Sequence, residues 1–178
     1  MKIGVVIPSY KVTRHILDVI AGIGPEVSKI YVVDDACPDE SGKLVSAKCK
    51  DKRVTVLTHD VNLGVGGAVL TGYAKALEDG INIAVKIDGD GQMDPKLLPA
   101  IIAPIVSGRA DYSKGNRFDT LESLEQMPKI RIFGNAVLSL MSKISTGYWN
   151  ITDPTNGYTA IHRSILSQLP MAKVNKRF

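Results

Sequence analysis

An α/β fold, with a mostly parallel central sheet and helices on both faces, is what this sequence predicts. Apolar runs of strand length alternate with helically patterned segments through residue 106, the order that builds a parallel sheet. The strand runs end at Pro8-Ser9-Tyr10, Asp34-Asp35, Asn62-Leu63-Gly64 and Asp88-Gly89-Asp90. In such sheets ligands bind outside the carboxyl ends of the strands, so these four segments are expected to meet. The 178 residues suffice for one domain, burying roughly 70% of the unfolded surface.

The elements follow in order. Residues 2–8 read as the first strand. Val12, Ile16, Val19, Ile20 and Ile23 lie near helical spacing, which predicts an amphipathic helix over 12–23, stopped by Gly24-Pro25. Ile30 to Val33 is the second strand, and Asp39 or Ser41 is expected to cap a helix running to Lys50. Val54 to Leu57 is the third strand, followed by a glycine-rich turn over 62–67 and a helix over 68–79 that Gly80 ends. Ile81 to Ile87, interrupted by Asn82 and Lys86, reads as a buried fourth strand. Asp94-Pro95 places a cap and an N-terminal proline at the start of the next helix, which Pro99 and Pro104 disturb. A short strand over 110–113, a loop over 117–128, a helix over 130–144, a last strand over 158–161 and a short helix over 164–169 complete the chain. No internal repeat or linker divides it, so one domain is expected.

Hydrophobic residues make up 44% and charged residues 22%, which is ordinary for a globular protein. No run reaches the ~18 apolar residues of a spanning helix, and Met1-Lys2 opens no signal peptide. A soluble cytoplasmic chain is the expectation. The net charge of +4 suits anionic substrates or an anionic membrane surface. No basic block with interleaved aromatics suggests a nucleic-acid groove, so no nucleic-acid partner is expected. Cys37 and Cys49 form no CxxC pair and read as reduced thiols. His15, His59 and His162 show no metal-ligand spacing and read as structural or surface residues.

Several nucleotide motifs fail. The first strand–helix turn has no glycine, so a GxGxxG dinucleotide site is excluded there; neither GxxxxGK[ST] nor GxSxG occurs. An EF-hand beginning at Asp88 would need glycine and glutamate where Met93 and Pro99 stand. Asp88-Gly89-Asp90-Gly91-Gln92 survives as a DxD-type motif. Two carboxylates one glycine apart at a strand end suit a hard divalent cation that leaves positions open for substrate oxygens. A phosphatase-type aspartate pair and a solvated acidic turn are the other readings of this segment. Asp34-Asp35 reads as a base or ribose acceptor, or as a turn cap. A carboxylate there accepts equally from uracil or guanine, and Tyr10 can pack on the base.

Together these residues resemble a family 2 glycosyltransferase with the GT-A (nucleotide-diphospho-sugar transferase) fold. The match rests on Val5 to Tyr10, Val32 to Asp35, Asn62-Leu63-Gly64 with Gly67-Ala68, and Asp88 to Gln92. It is narrower toward the polyprenyl-phosphate branch, such as the dolichol-phosphate mannosyltransferases. Ala110-Asp111-Tyr112, Gly115 to Phe118, the helix bearing Arg131 and Asn135, and Asp153 to Tyr158 carry that part. The resemblance implies that Pro8, Tyr10, Asp35, Asn62, Gly64, Asp88 and Gly89 bind the donor nucleotide. It implies that Asp88, Asp90 and Gln92 hold Mg²⁺ or Mn²⁺. Arg117, Arg131 and Asn135 are implied to handle the acceptor phosphate, with Asp153 near the reacting centre. Relatives continue past Phe178 into interface and membrane-spanning helices, so the expectation is a single GT-A catalytic domain over 1–178, either truncated there or belonging to a short homologue. The full-length form is then expected at the cytoplasmic face of a membrane.

The implied reaction moves a sugar, with inversion, from a UDP- or GDP-linked donor to a polyprenyl (dolichyl or undecaprenyl) phosphate. Transfer to a saccharide hydroxyl in cell-surface polysaccharide synthesis is an alternative with a different demand. A hydroxyl needs a general base, the role Asp153 would fill, whereas a lipid phosphate is already anionic and needs cationic contacts. Two other classes are a sugar-1-phosphate nucleotidyltransferase and an inactive nucleotide-sugar-binding module. The first wants a glycine-rich first loop, which Pro8-Ser9-Tyr10-Lys11 is not.

Overall fold

The structure is a computed structural model that describes residues 1–116, 129–147, 149, 153 and 156–174. Six strands form a single sheet in the order β3-β2-β1-β4-β6-β5. They are β1 (Ile3–Ser9), β2 (Lys29–Asp34), β3 (Val54–Thr58), β4 (Ile83–Lys86), β5 (Tyr112–Lys114) and β6 (Thr159–His162). β1 pairs in parallel with β2 and β4, and β2 with β3; β6 runs antiparallel to β4. The register matches Ser9 with Asp34 and Asp34 with Thr58, so these strands end together.

Strand residues alternate between two cores, as the period of a strand requires. Val5, Ile7, Ile30, Val32, Ile83 and Val85 face α1 (Ile16–Ala21), α2 (Ser41–Lys48) and α4 (Leu98–Val106). Val6, Tyr31, Val33 and Ala84 face α3 (Gly64–Glu78) and α6 (Arg163–Leu166). Both faces of β1, β2 and β4 are therefore dry, which is why these strands are nearly continuous in apolar residues. The close fit to α3 depends on Gly72, where a Cβ would strike the Val6 side chain.

The structure moves three predicted boundaries. The glycine-rich segment after Asn62 is not a turn that precedes α3: the helix begins at Gly64, whose φ is +83°. α1 is six residues long rather than twelve. α2 takes Glu40 as its N-cap, with a left-handed φ of 53° and no side-chain cap bond. Asp39 and Ser41 therefore do not cap it. Asp34 does so from the neighbouring strand, accepting from Gly42 N–H at 2.5 Å. Asp94 caps as expected, accepting from Lys96 N–H at 2.9 Å, but it opens a 3₁₀ turn over Pro95–Leu97 before α4.

Residues 1–113 with 158–178 make one compact unit and 114–157 a second. The second contains α5 (Lys129–Thr146), on which Val137, Leu140, Met141 and Ile144 are exposed along one side. Among the described residues no helix is long and apolar enough to cross a membrane. The predicted loop over 117–128 lies outside the described residues.

Candidate functional site

A cleft of about 470 Å³ opens at the carboxyl edge of the sheet. Pro8, Tyr10, Asp35, Asn62, Gly64, Asp88 and Gly89 all line it, and so does Asp90. Every residue assigned to the donor nucleotide from sequence is thus brought to one place. Gln92 is exposed and does not line the cleft; its backbone N–H instead donates to Asp90 Oδ1 at 3.0 Å.

The two neighbouring aspartates of β2 have separate tasks. Asp34 is buried and accepts from Cys37 N–H at 2.8 Å and from Gly42 N–H at 2.5 Å. It caps the turn and the start of α2, and it does not line the cleft. Asp35 does line it, yet it is also heavily bonded. Its Oδ1 accepts from Leu63 N–H at 2.8 Å and from His59 Nδ1 at 2.7 Å, and its Oδ2 accepts from Gly64 N–H at 2.7 Å. These bonds satisfy N–H groups at the start of α3 that no helical carbonyl can reach. The Asn62 side chain reinforces the loop, donating to the Asp35 carbonyl at 3.1 Å and accepting from Gly64 N–H at 3.1 Å.

The tip after β4 is more open. Asp88 pairs with Lys86, at 2.5 Å between Nζ and Oδ1. Lys86 is 12% exposed and Asp88 29%. Close packing sets the tip's position: a Cβ on Gly89 would lie 3.0 Å from Ile16 and 3.2 Å from Val12, and Gly91 has a φ of +78°. The donor set here is hard oxygen, which fits Mg²⁺ or Mn²⁺. Among the described residues no group of three or more His, Cys, Asp or Glu could hold a metal by itself. Asp88 and Asp90 could offer such a cation two carboxylates from the cleft lining.

Sequence reading missed several residues of this region. Lys11 and Val12 line the cleft mouth, and Lys11 holds a left-handed φ of 57° with its ammonium 5.5 Å from the Tyr10 ring. Val65 and Ala68 line the cleft from α3. His59, read only as structural or surface, joins Asp35 to Thr71, with Nε2 2.8 Å from the Thr71 hydroxyl. Lys86 did carry a signal: it is a lone charge in an apolar strand, two residues before an acid and so on the same side of the backbone.

The residues assigned to the acceptor belong to the second unit. Asp153 is buried there, and its carbonyl accepts from Asn156 N–H. Arg131 and Asn135 fall on α5, and their side chains lie outside the described residues, as does Arg117 entirely.

The fold agrees with that of known proteins the chain resembles. The family model for glycosyl transferase family 2 matches residues 5–169, and the chain belongs to that family. It has the GT-A fold: glucosyl-3-phosphoglycerate synthase from Mycobacterium tuberculosis, solved with Mn²⁺, UDP and glucosyl-3-phosphoglycerate, superposes with a TM-score of 0.73 at 21% identity. That match covers 95% of this chain and 59% of the synthase. Its relatives extend into the polyprenyl-phosphate branch. The UDP-N-acetylglucosamine–dolichyl-phosphate N-acetylglucosaminyltransferase of Methanococcus voltae is 30% identical, over 97% of this chain and 74% of that one. The undecaprenyl-phosphate mannosyltransferase of Micrococcus luteus is 29% identical, over 99% of this chain and 73% of the relative.

Proposed function

We propose that this glycosyltransferase moves a sugar from a nucleoside diphosphate sugar to a polyprenyl phosphate, with inversion at the anomeric carbon. The observation that carries the reading is the cleft itself. It gathers Tyr10, Asp35, Asp88 and Asp90 at the strand ends, in a chain whose relatives use dolichyl and undecaprenyl phosphate.

In this reading Tyr10 and Asp35 hold the base, and Asp88 lies toward the ribose and diphosphate. Asp90, with Asp88 and Gln92 beside it, holds Mg²⁺ or Mn²⁺. A bound divalent cation supplies electrostatic neutralisation for the charge that grows on the leaving nucleoside diphosphate. A phosphate oxygen of the acceptor forms the new bond to the anomeric carbon. The bond from that carbon to the donor's β-phosphate oxygen breaks, and the nucleoside diphosphate leaves with the electron pair. Arg117 and Arg131 neutralise the acceptor phosphate, and Asn135 helps orient it by hydrogen bonding. Asp153 orients an arginine or the transferred sugar, because a lipid phosphate is largely anionic at neutral pH and needs no general base. The acceptor puts the working enzyme at a membrane surface, on the cytoplasmic side where nucleotide sugars are made, and the basic charge of the chain favours that surface.

The test is transfer of labelled sugar from UDP- and GDP-linked donors to polyprenyl phosphate in detergent, with and without Mn²⁺. A lipid product cleaved by mild acid is expected, since a sugar phosphodiester is labile there. A product stable to mild acid, made only on a saccharide, would reassign the acceptor to a hydroxyl. Pyrophosphate release from a nucleoside triphosphate would reassign the reaction class.

A further inference from the structure

Asp35 is ambiguous from sequence between uracil and guanine, but its hydrogen bonds are not. An ionised carboxylate has about four acceptor positions, two on each oxygen. Leu63 N–H and His59 Nδ1 fill both positions on Oδ1, and Gly64 N–H fills one on Oδ2. Among the described residues one position remains, on Oδ2.

The His59 bond is built in. A carboxylate offers only acceptors, so Nδ1 must carry the proton it donates. The opposite nitrogen sits 2.8 Å from the Thr71 hydroxyl, which holds the ring in place. Both His59 and Asp35 are shielded, at 11% and 4% side-chain exposure, so water does not readily replace this bond.

Bases differ in how many donors they bring to a carboxylate. Uracil and thymine present one N–H, at N3, between two carbonyls. Guanine presents two adjacent donors, N1–H and the N2 amino group, which pair as a fork with two carboxylate oxygens. Here one tine of that fork would meet an oxygen already saturated and would lose its partner on leaving water.

We infer that the cleft selects an imide-bearing pyrimidine base, uracil or thymine, over guanine, and that His59 enforces the choice by filling the second position on Asp35 Oδ1. The inference rests on the donor site proposed above and names its base. His59 acts through Asp35 and is a positioning residue.

Calorimetric titration of the full chain with UDP, dTDP, GDP and N3-methyl-UDP, each with Mn²⁺, tests it. UDP and dTDP are expected to bind on the order of ten-fold or more tighter than GDP, the penalty of one unpaired donor. N3-methyl-UDP, which lacks the imide proton, is expected to lose a similar factor on the unaltered protein. In His59→Leu the UDP-to-GDP ratio is expected to narrow several-fold, while His59→Asn, which restores an N–H donor, recovers part of it. A ratio is read because general loosening weakens both nucleotides together. GDP binding as tightly as UDP, or undiminished N3-methyl-UDP binding, overturns the base assignment and leaves the donor site standing. Failure of every nucleoside diphosphate to bind overturns the donor site and this inference with it.

Discussion

Two acidic pairs flank the end of β1, and they are built in opposite ways. Asp34-Asp35 ends β2 and is satisfied from within the protein: five backbone or imidazole N–H groups donate to its two carboxylates. Asp88-Gly89-Asp90 follows β4 and receives one lysine and one backbone N–H among the described residues. The same residue type at the same sheet edge thus does different work. Where buried N–H groups converge on a carboxylate, it holds loops and helix starts in place. Where the lone pairs face a cleft, it is available to a ligand. Asp35 combines both, with three positions committed and one left over.

The largest effect is expected at the open pair. Asp90→Ala is expected to abolish Mn²⁺-dependent donor binding in a calorimetric titration, while the thermal midpoint shifts by the equivalent of about 0.5 kcal/mol or less. Donor binding that survives with Mn²⁺ would remove the metal role from this tip. The closed pair should behave in reverse. Asp34→Ala leaves two buried N–H groups unpaired and is expected to cost about 2–4 kcal/mol in urea unfolding. Donor affinity of the folded fraction should then change little. A Tm close to that of the unaltered protein would mean that Cys37 N–H and Gly42 N–H find other partners.

A smaller effect sharpens the contrast within the open pair. The Lys86 ammonium lies against Asp88 Oδ1 and lowers the negative potential of the tip. Lys86→Met is expected to tighten Mn²⁺ binding to the donor-free protein several-fold, about 1 kcal/mol, as read by the paramagnetic resonance of free Mn²⁺. Lys86→Arg should restore the original affinity. Unchanged Mn²⁺ binding in the methionine variant would show that this charge does not act on the tip.

The smallest effect comes from a carboxylate at neither tip. Hydrogen bonds from the Arg53 side chain hold Asp51 below the usual carboxylate range, against a modest opposing effect of burial. A depressed folded value gives stability that is present above the unfolded pKa and is lost as pH falls through the folded one. Asp51→Asn is expected to flatten that part of the acid unfolding limb by roughly 1 kcal/mol at most. An identical limb in both proteins would mean the Arg53 pairing contributes nothing to the folded state.

The amino-acid order was enough to place the sheet and the residues that line the cleft at its edge. Strand–helix alternation fixes parallel crossovers, and parallel crossovers bring strand ends to one edge, so Tyr10, Asp35, Asn62 and Asp88 had to converge. What periodicity could not supply was which lone pairs remain open once the chain has folded. The start of α3 is the clear case. Local glycine content argues for a loop through residue 67, but the Asp35 carboxylate, arriving from another strand, satisfies the N–H groups of Leu63 and Gly64 and lets the helix begin four residues earlier. Asp34 decides the start of α2 in the same manner, and His59 acquires its partners, Asp35 and Thr71, only through pairings that no local pattern encodes. Hydrogen bonds between distant residues are set by tertiary approach within a few tenths of an ångström. A sequence can therefore say where a carboxylate will stand, while the folded chain decides what it has left to offer.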